Sequence, residues 1–307
     1  MPSSASQPVR RPAPPPQQTS PPVMKLACPA ELAPPPWIDD LPNERFTLVT
    51  ARVANVPDLS PRRFEQLTFE AYVSIAEQLA AGAHRHPVRF WNHVPFITDP
   101  ADAGRDNYMV FNAGRFRAFS DWYGSPARFE RDVATASATG HWSRDLIVHC
   151  LATDAAGAAV NNPRQVAPYH YSQRFGPLPP CFARATKLES SELLLVGGTA
   201  SVRGEDSVHV DDLASQCRET YVNLASLVSA AIGKKLTSSA KLPRLLAGFR
   251  DLRVYYPDRA REAEIEESIK ENFPNLRHLE MLHADLCRAE LLVEIEGIAD
   301  LSELQKT

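Results

Sequence analysis

A pattern of seven residues occurs twice in this chain. Residues 70–76 read EAYVSIA and residues 219–225 read ETYVNLA, and an aromatic segment with an arginine follows each, Arg89 after the first and Arg253 after the second. Tyr and Leu at helical spacing are usual in helix cores, but agreement in both residues and order indicates duplication of one structural unit. We therefore predict an α/β fold of two related halves, divided near residue 160, each a mixed sheet packed on helices.

The periodicity of hydrophobic residues predicts the elements of these halves. Ser60 followed by Pro61 is typical of a helix start, and this helix is predicted to run to about Ala81. Asp211 or Asp212 is predicted to cap a second helix that ends near Ala231. Strands are predicted at residues 46–53, 87–94, 141–152, 169–175, 182–186, 193–196 and 252–256, and residues 276–286 are predicted to pair with a strand near the C-terminus.

The N-terminus differs in composition from the rest of the chain. Residues 1–36 hold 12 of the 27 prolines, with Gln and Ser between them. Such a segment cannot bury enough apolar surface to offset its ordering entropy, so residues 1–40 are predicted to be a disordered tail, either plainly solvated or a PxxP ligand. The remaining chain is predicted to form an N-terminal domain over residues 41–160 and a C-terminal domain over residues 161–307.

Overall composition restricts the partners and the compartment. A formal charge of −4, 44% hydrophobic residues and 23% charged residues are ordinary globular values and predict no nucleic-acid partner. The five cysteines have no spacing that suits zinc or a disulfide framework, which predicts a reducing compartment. No run of about 18 apolar residues is present, and no apolar segment follows Arg10 and Arg11. We therefore predict a soluble cytoplasmic protein without a membrane partner.

The segment from Cys287 to Ala299 alternates aliphatic residues with carboxylates. As a strand, it places Leu291, Val293 and Ile295 on one face and Glu290, Leu292, Glu294 and Glu296 on the other. If the acidic face is exposed, this is an edge strand with solvated glutamates. If it is covered, burial and mutual repulsion raise the carboxyl pKa values, and a glutamic acid can then donate a proton near neutral pH.

Several segments of the second half resemble the RidA/YjgF family of small α/β proteins, which have a chorismate-mutase-like fold. The resemblance implies that fold for residues 161–307 and a degenerate copy of it for residues 41–160. The segments that carry it occur in the family's order. They are Pro180–Ala185 (PCFARA), Gly197–Ser201 (GGTAS), Gln216–Leu227 and Val293–Ala299 (VEIEGIA).

A long chain with these blocks also resembles the chorismatases. The residues concerned are 175–185 (FGPLPPCFARA), 198–205 (GTASVRGE) and the glutamate strand. Chorismatases hydrolyse chorismate to pyruvate and either a dihydroxycyclohexadiene acid or a hydroxybenzoate. The resemblance implies that Glu294 is the catalytic acid and Glu290 its neighbour, that no metal or cofactor takes part, and that chorismate is the small-molecule substrate.

The chemistry of chorismate matches the residue types. Chorismate is an enol ether with two carboxylates, so its cleavage needs an acid to protonate the terminal methylene carbon and cations to hold the carboxylates. Tyr171 is a candidate hydrogen-bond partner for a substrate oxygen. The family comparison places Ala200 and Cys287 in the cleft and favours 3-hydroxybenzoate, with the diene acid or 4-hydroxybenzoate as alternatives. The candidate carboxylate ligands are Arg184, Arg203, Arg174 and Arg253.

One alternative function and one alternative assembly stay open at this stage. A RidA-like imine deaminase, or a binding protein without catalysis, would use the same cleft and an arginine such as Arg277. RidA proteins are trimers with sites between subunits, whereas a duplicated chain can fill part of that interface itself. We predict a monomer, with a RidA-like trimer as the alternative.

Overall fold

The computed structural model describes residues 29–41, 46–188, 190–302 and 304. The chain contains two compact units, Met1–Ala33 and Pro34–Thr307. In the first unit, the described residues include a short 3-10 helix at Ala30–Leu32. The disorder predicted for residues 1–28 lies outside the described residues. The following paragraphs concern the second unit.

The N-terminal half of the second unit contains a four-stranded sheet with helices α1 and α2 packed on it. Its strands are β1 (Phe46–Val53), β2 (His86–Pro95), β5 (Thr135–His141) and β6 (Leu146–Thr153), in the spatial order β1-β6-β2-β5. Its other elements are α1 (Pro61–Ala81), α2 (Asn107–Trp122), α3 (Phe129–Asp132) and the small hairpin of β3 (Pro100–Asp102) and β4 (Arg105–Asp106).

The C-terminal half contains a six-stranded sheet, with α4 packed on strand β9. None of the described helices is both long and apolar enough to cross a membrane. The sheet order is β13-β12-β14-β9-β8-β7. The elements are β7 (Ala158–Val160), β8 (Ala185–Leu188), β9 (Leu193–Ala200), β10 (Val202–Arg203), β11 (Asp206–Ser207), α4 (Leu213–Ala231), α5 (Leu242–Leu246), β12 (Phe249–Tyr256), α6 (Glu262–Asn272), β13 (His278–His283) and β14 (Glu294–Asp300).

The two sheets share one topology, which confirms the predicted fold class. In the N-terminal sheet, β5 is parallel to β2, which is antiparallel to β6, which is antiparallel to β1. In the C-terminal sheet, β13, β12, β14 and β9 are related in the same way and in the same chain order. Strand Ala158–Val160 joins the C-terminal sheet through β8, slightly before the predicted division at residue 160.

The repeated helices form for the reasons that their sequences indicate. Ser60 accepts a hydrogen bond from the Arg63 amide at the start of α1, and Asp212 accepts one from the Ser215 amide at the start of α4. Tyr72 of α1 is fully buried, and its hydroxyl donates to Asn92 Oδ1 of β2 at 2.5 Å. Each helix therefore buries one face against its own sheet.

Three of the strand predictions are wrong. Residues 276–286 were predicted to pair with the glutamate strand, but β13 pairs in parallel with β12, because the helix α6 between them forms the crossover that a parallel pair needs. Residues 141–152 contain the end of β5, a turn and most of β6. Residues 169–175 contain two 3-10 helices, Pro168–His170 and Gln173–Phe175, since Pro168 and Gly176 interrupt the strand pattern at both ends.

The halves pack against each other along one side. Thr135 of β5 forms an isolated parallel bridge with Ala183, and the Gly140 amide donates to the Asp285 carbonyl at 2.7 Å. A hydrophobic cluster joins both sheets, and its members include Trp91, Leu195 and Trp37. Contact between the halves is therefore made within one chain.

Some residues of the predicted disordered tail, which was expected to end at residue 40, have regular structure. Pro36–Asp40 forms a 3-10 helix in which Trp37 and Ile38 are buried. The Trp37 ring packs edge-on to Trp91, with ring centroids 6.2 Å apart. An aromatic residue beside prolines thus docks against the core, although the composition of the segment predicts disorder.

Candidate active site

A cavity of about 320 Å³ lies between the two halves. The N-terminal half contributes residues from α2 and β5, and the C-terminal half contributes residues from β9, β14 and the loops beside them. Seven of the predicted site residues line it: Glu294, Glu290, Arg184, Arg174, Tyr171, Ala200 and Cys287.

Glu294 is the first residue of β14 and lies on the cavity wall. It pairs with Ala200 of β9 on one side and Tyr255 of β12 on the other. Burial, together with the nearby charge of Glu296, raises the pKa of Glu294 to about 8, although Arg184 and Arg89 oppose the shift. At neutral pH this carboxyl group is therefore mainly protonated, as a proton donor must be.

Two glycines make room for this carboxyl group. Gly197 and Gly198 of β9 together oppose the single residue Glu296 of β14, which is the pattern of a β-bulge. A Cβ atom at Gly198 would lie 2.0 Å from Glu294 Oε1, and one at Gly197 would lie 2.9 Å from Thr135 Cγ2. The groups that approach the backbone at these two glycines are Glu294 and strand β5.

Glu296 lies on the same strand but has a different environment. It is fully buried, and its Oε2 accepts a hydrogen bond from Arg89 Nη2 at 2.6 Å and one from the Ser137 hydroxyl. Its Oε1 accepts from Trp91 Nε1 at 2.8 Å and from the Tyr255 hydroxyl at 3.1 Å. Glu296 is thus in a buried ion pair, whereas Glu294 faces the cavity.

Four described arginines line the cavity: Arg115, Arg174, Arg184 and Arg288. Arg115 is fully buried, and its Nη2 donates to Asn112 Oδ1 at 2.7 Å. Its Nε and Nη1, and Nε of Arg184, have no hydrogen-bond partner among the described residues. A buried donor without a partner is costly, so these guanidinium groups suit an anionic ligand that supplies oxygen atoms.

Arg288 closes another part of the wall by stacking. Its guanidinium lies 4.2 Å from the ring centroid of Phe175 and 5.6 Å from that of Tyr171. Its Nη1 donates to the Glu205 carbonyl at 2.9 Å and to Ser207 Oγ at 3.1 Å. The Tyr171 hydroxyl in turn accepts a hydrogen bond from Arg184 Nη2. Aromatic rings and cations therefore alternate along this side of the cavity.

Two of the predicted carboxylate ligands lie elsewhere. Arg203 extends from β10 toward α4, where its Nη2 lies 2.6 Å from Oε2 of Glu219. Arg253 is fully buried in β12, and its Nε donates to Glu280 Oε2 of β13 at 2.7 Å. Both are predicted site residues that the structure does not bring to the cavity, because each one neutralises a carboxylate of a neighbouring element.

Glu290 lines the cavity, but it does not lie on a strand with Glu294 as predicted. Strand β14 begins only at Glu294, and the preceding residues form a turn. The amide side chain of Gln216 in α4 holds this turn, since its Nε2 donates to the Glu290 carbonyl and its Oε1 accepts from the Leu292 amide, both at 2.8 Å. These backbone groups are therefore paired with a helix side chain and not with a strand.

Cys287 and Ala200 both line the cavity, as the family comparison implied. Burial, together with the nearby Glu294, raises the pKa of the Cys287 thiol to about 12, so this residue is a neutral thiol at physiological pH. Cys287 and Ala200 are small side chains that line the cavity together with Glu294.

Sequence reasoning did not single out every residue of the cavity. Arg115 lies in α2, and its only signal in the sequence is its place in a stretch rich in aromatic residues and arginine. Arg288 is adjacent to Cys287, and Ser137 lies in a strand that was not predicted. These three side chains are brought to the site by the packing of the halves, which no local pattern encodes.

Comparison with known proteins gives a consistent set of relatives. The family description "Chorismatase FkbO/Hyg5-like, N-terminal" matches residues 42–152. A 3-hydroxybenzoate synthase of Streptomyces hygroscopicus is 34% identical over 77% of this chain and 70% of its own length. A chorismatase of Streptomyces rapamycinicus is 31% identical over 80% of this chain and 73% of its own length. A crystal structure of a chorismatase has a TM-score of 0.70 and 26% identity, and covers 83% of this chain and 74% of the other.

Proposed function

We propose that this chain, which belongs to the chorismatase family, cleaves the enolpyruvyl ether of chorismate and releases pyruvate. One observation carries the proposal: a buried carboxyl group, whose pKa is raised to about 8, lies in a cavity lined by four arginines. A dianionic enol ether needs both features, since cations bind its carboxylates and an acid protonates its methylene carbon.

Glu294 starts the reaction by giving its proton to the terminal methylene carbon. The electron pair of the enol double bond forms the new C–H bond, and the positive charge is shared between the adjacent carbon and the ether oxygen. The carboxylate left on Glu294 is then the counter-ion of this oxocarbenium. Because Glu294 is buried, this electrostatic stabilisation is stronger than it would be in water.

The arginines hold the two carboxylates of the substrate. The unpaired donors Nε and Nη1 of Arg115 and Nε of Arg184 are available for carboxylate oxygens. Arg288 completes the positive lining, whereas Arg174, which also lines the cavity, is paired with Asp206 and Glu205. Fixing both ends of the substrate orients the methylene carbon relative to Glu294, and orientation of this kind contributes a large part of many rate accelerations.

Two outcomes are open to the oxocarbenium. Water can add to its carbon, and collapse of the hemiketal gives pyruvate and the dihydroxycyclohexadiene acid. Alternatively, the neighbouring ring hydroxyl attacks the ring carbon that bears the ether, pyruvate leaves as the ketone, and the hydroxyl proton returns to Glu294. The ring then rearranges to a hydroxybenzoate, and no water is consumed.

The proposed aromatic product is 3-hydroxybenzoate. Cys287 in the cavity and the similarity to a 3-hydroxybenzoate synthase favour this route, while Ala200 does not distinguish it from the diene route. 4-Hydroxybenzoate and the diene acid are the alternative products. The choice depends on whether water reaches the oxocarbenium before the ring hydroxyl reacts.

The test is incubation of the purified full chain with fresh chorismate. Pyruvate is measured with lactate dehydrogenase, and the ring product is separated by liquid chromatography. We expect pyruvate and 3-hydroxybenzoate in equal amounts, and an absence of pyruvate would refute the proposed function. The variant Cys287→Ala is expected to change the ratio of ring products, and an unchanged ratio would remove Cys287 from the choice of product.

The residue that would support a RidA-like deaminase, Arg277, lies outside the cavity. Arg277 is exposed. Its backbone amide donates to the Arg250 carbonyl at the start of β13. The cationic groups that do line the cavity come from other segments, so the structure gives no reason to prefer this alternative.

The proposal includes a monomeric cytoplasmic enzyme. Contacts between the halves, such as the Thr135–Ala183 bridge and the Arg89–Glu296 ion pair, are made within one chain. Cys150, Cys181, Cys217 and Cys287 are free, which suits a reducing compartment. Sedimentation equilibrium is expected to give the mass of one chain, and a mass of three chains would support the RidA-like trimer.

A further inference from the structure

The ion pair beneath the cavity joins the two halves at one carboxylate. Arg89 and Trp91 come from β2, Ser137 from β5 and Tyr255 from β12, and all four donate to Glu296 of β14. Ser137 also accepts a hydrogen bond from Arg89 Nη2 at 2.5 Å. Three of the four donors therefore belong to the N-terminal half, although the proposed acid belongs to the C-terminal half.

We propose that Glu296 is a positioning residue whose carboxylate, held by Arg89, Trp91, Ser137 and Tyr255, keeps the proton on Glu294 until the substrate takes it. This proposal rests on the proposed function of Glu294 as the acid. It gives the N-terminal half a direct part in the chemistry, because that half supplies the groups that fix the second carboxylate.

The geometry supports an action through Glu294. Residues two apart on a strand lie on one face, with their Cα atoms roughly 6–7 Å apart. The bulge at Gly197 and Gly198 lies opposite Glu296 and also provides the space for Glu294 Oε1. One local distortion thus positions both carboxyl groups. Both groups are shielded from water, and charges interact more strongly in such an environment than in water.

Stability alone is a weak reason for such a pair. Burying two charges carries a large desolvation cost, and apolar residues of similar volume are often as stabilising. Arg89 and Glu296 are both almost completely buried, with 1% and 0% of their side chains exposed. A fully buried pair beside the acid therefore suggests a role in the reaction.

The charged groups around Glu294 act in opposite directions. Burial and Glu296 raise its pKa, while Arg184, Arg89 and Arg288 lower it. Cys287 and Tyr108 also lie nearby, and burial raises their own pKa values, so both are neutral at physiological pH. Glu296 is thus the nearby anion that offsets three guanidinium groups, and its removal leaves those groups to favour ionisation of Glu294.

The test is the pH dependence of kcat for Glu296→Gln. We expect the alkaline limb to move to lower pH by at least about one unit, which is the size expected for a charge at this distance in a protein. At pH 8 kcat should fall about fivefold or more relative to wild type, while at pH 5.5 it should stay within about threefold. A merely structural residue would lower kcat by the same factor at every pH.

Tyr255→Phe is the matched control, since it removes one hydrogen bond to the same buried carboxylate without removing its charge. The pH at which kcat of Tyr255→Phe falls on the alkaline side is expected to equal that of wild type. If Glu296→Gln does not fold, the double variant Arg89→Met/Glu296→Gln removes both charges together and should move the limb in the same direction by a smaller amount. A limb that stays at the wild-type position in the folded variant overturns the proposal.

A second readout separates this proposal from the proposed function. The protonation of Glu294 is followed without substrate by infrared titration of the carboxyl band, with Glu294→Gln identifying the band. Titration at lower pH in Glu296→Gln than in wild type supports the inference, and titration at an unchanged pH overturns it. Failure of wild type to release pyruvate from chorismate would defeat the proposed function and leave this titration interpretable.

Discussion

Two glutamates separated by one residue have opposite environments in this protein. Glu296 is held by Arg89 and three further donors, whereas Glu294 faces the cavity with a pKa near 8. Different environments for neighbouring acids are how active sites assign different roles to the same residue type. At the residue scale, the proposed reaction therefore depends on the proton of Glu294.

Glu294→Gln is expected to lower kcat for pyruvate release by about 10²–10⁴-fold, because an amide cannot protonate carbon. Glu290→Gln, a change of the same size at the cavity wall, is expected to cost less than about tenfold. The measurement is steady-state kinetics at pH 7 for wild type and both variants. If Glu294→Gln retained more than about a tenth of wild-type kcat, Glu294 would not be the acid.

Glu294→Gln is also expected to be more thermally stable than wild type at alkaline pH. The pKa of Glu294 is raised from its ordinary 4.5 to about 8 in the folded state. Between these values the folded chain keeps a proton that the unfolded chain has lost, so wild-type stability falls as pH rises through this window. Calorimetry should show equal Tm values near pH 4.5 and a higher Tm for Glu294→Gln at pH 9. An equal or lower Tm at pH 9 would contradict the raised pKa.

Residue types predicted the candidate site only in part. Glu294, Arg184, Tyr171 and Cys287 were singled out from the sequence, and all line the cavity. Arg203 and Arg253 were singled out on the same grounds, but each pairs with a carboxylate. The position of an arginine on a strand does not reveal which carboxylate it will meet, because that depends on the packing of a neighbouring element.

At the scale of elements, the bulge in β9 is the feature that places the acid. Gly197 and Gly198 oppose one residue of β14, and their missing side chains admit Thr135 on one side and Glu294 on the other. A side chain here would displace the carboxyl group or separate the halves. The catalytic geometry therefore depends on two residues that supply no chemistry themselves.

Gly198→Ala is expected to lower kcat at least about tenfold, because its methyl group would lie 2.0 Å from Glu294 Oε1 and force the carboxyl group to move. Gly82→Ala is the control, since its Cβ would make only ordinary contacts of 3.4 Å at the end of α1. Its kcat should be within about twofold of wild type. Wild-type kinetics in Gly198→Ala would show that the close approach is unimportant.

Elements with strong local signals were predicted well, and elements set by distant contacts were not. Helices α1 and α4 end where capping residues and periodicity place them. Residues 169–175 have the aromatic composition of a strand, but Pro168 and Gly176 make 3-10 turns there. Residues 287–293 look like the start of the glutamate strand, yet Gln216 of a helix takes their backbone hydrogen bonds.

At the scale of the whole molecule, the duplication was visible in the sequence, but the segment that completes the core was not. The match between α1 and α4 predicted two halves, and the shared order of four strands in each sheet confirms them. Trp37, within a proline-rich segment, packs against Trp91 where the two sheets meet. Composition describes the average of a segment and misses a single anchoring residue.

Trp37→Ala is expected to lower the free energy of unfolding by about 3–5 kcal/mol, as for other large buried aromatic side chains. Trp142→Ala is the control, because Trp142 is half exposed and should cost less than about 1 kcal/mol. Urea denaturation of both variants measures the difference. Equal stability of the two variants would show that the segment at residues 36–40 does not contribute to the core.

The central claim is that a protonated Glu294 starts the reaction, and the pH profile of pyruvate release from chorismate tests it most directly. Measured from pH 6 to pH 10 with the wild-type chain, kcat is expected to be level at the acidic end and to fall above about pH 8, where Glu294 loses its proton. A kcat that rises through this range would mean that an ionised group acts as a base, and would contradict the account.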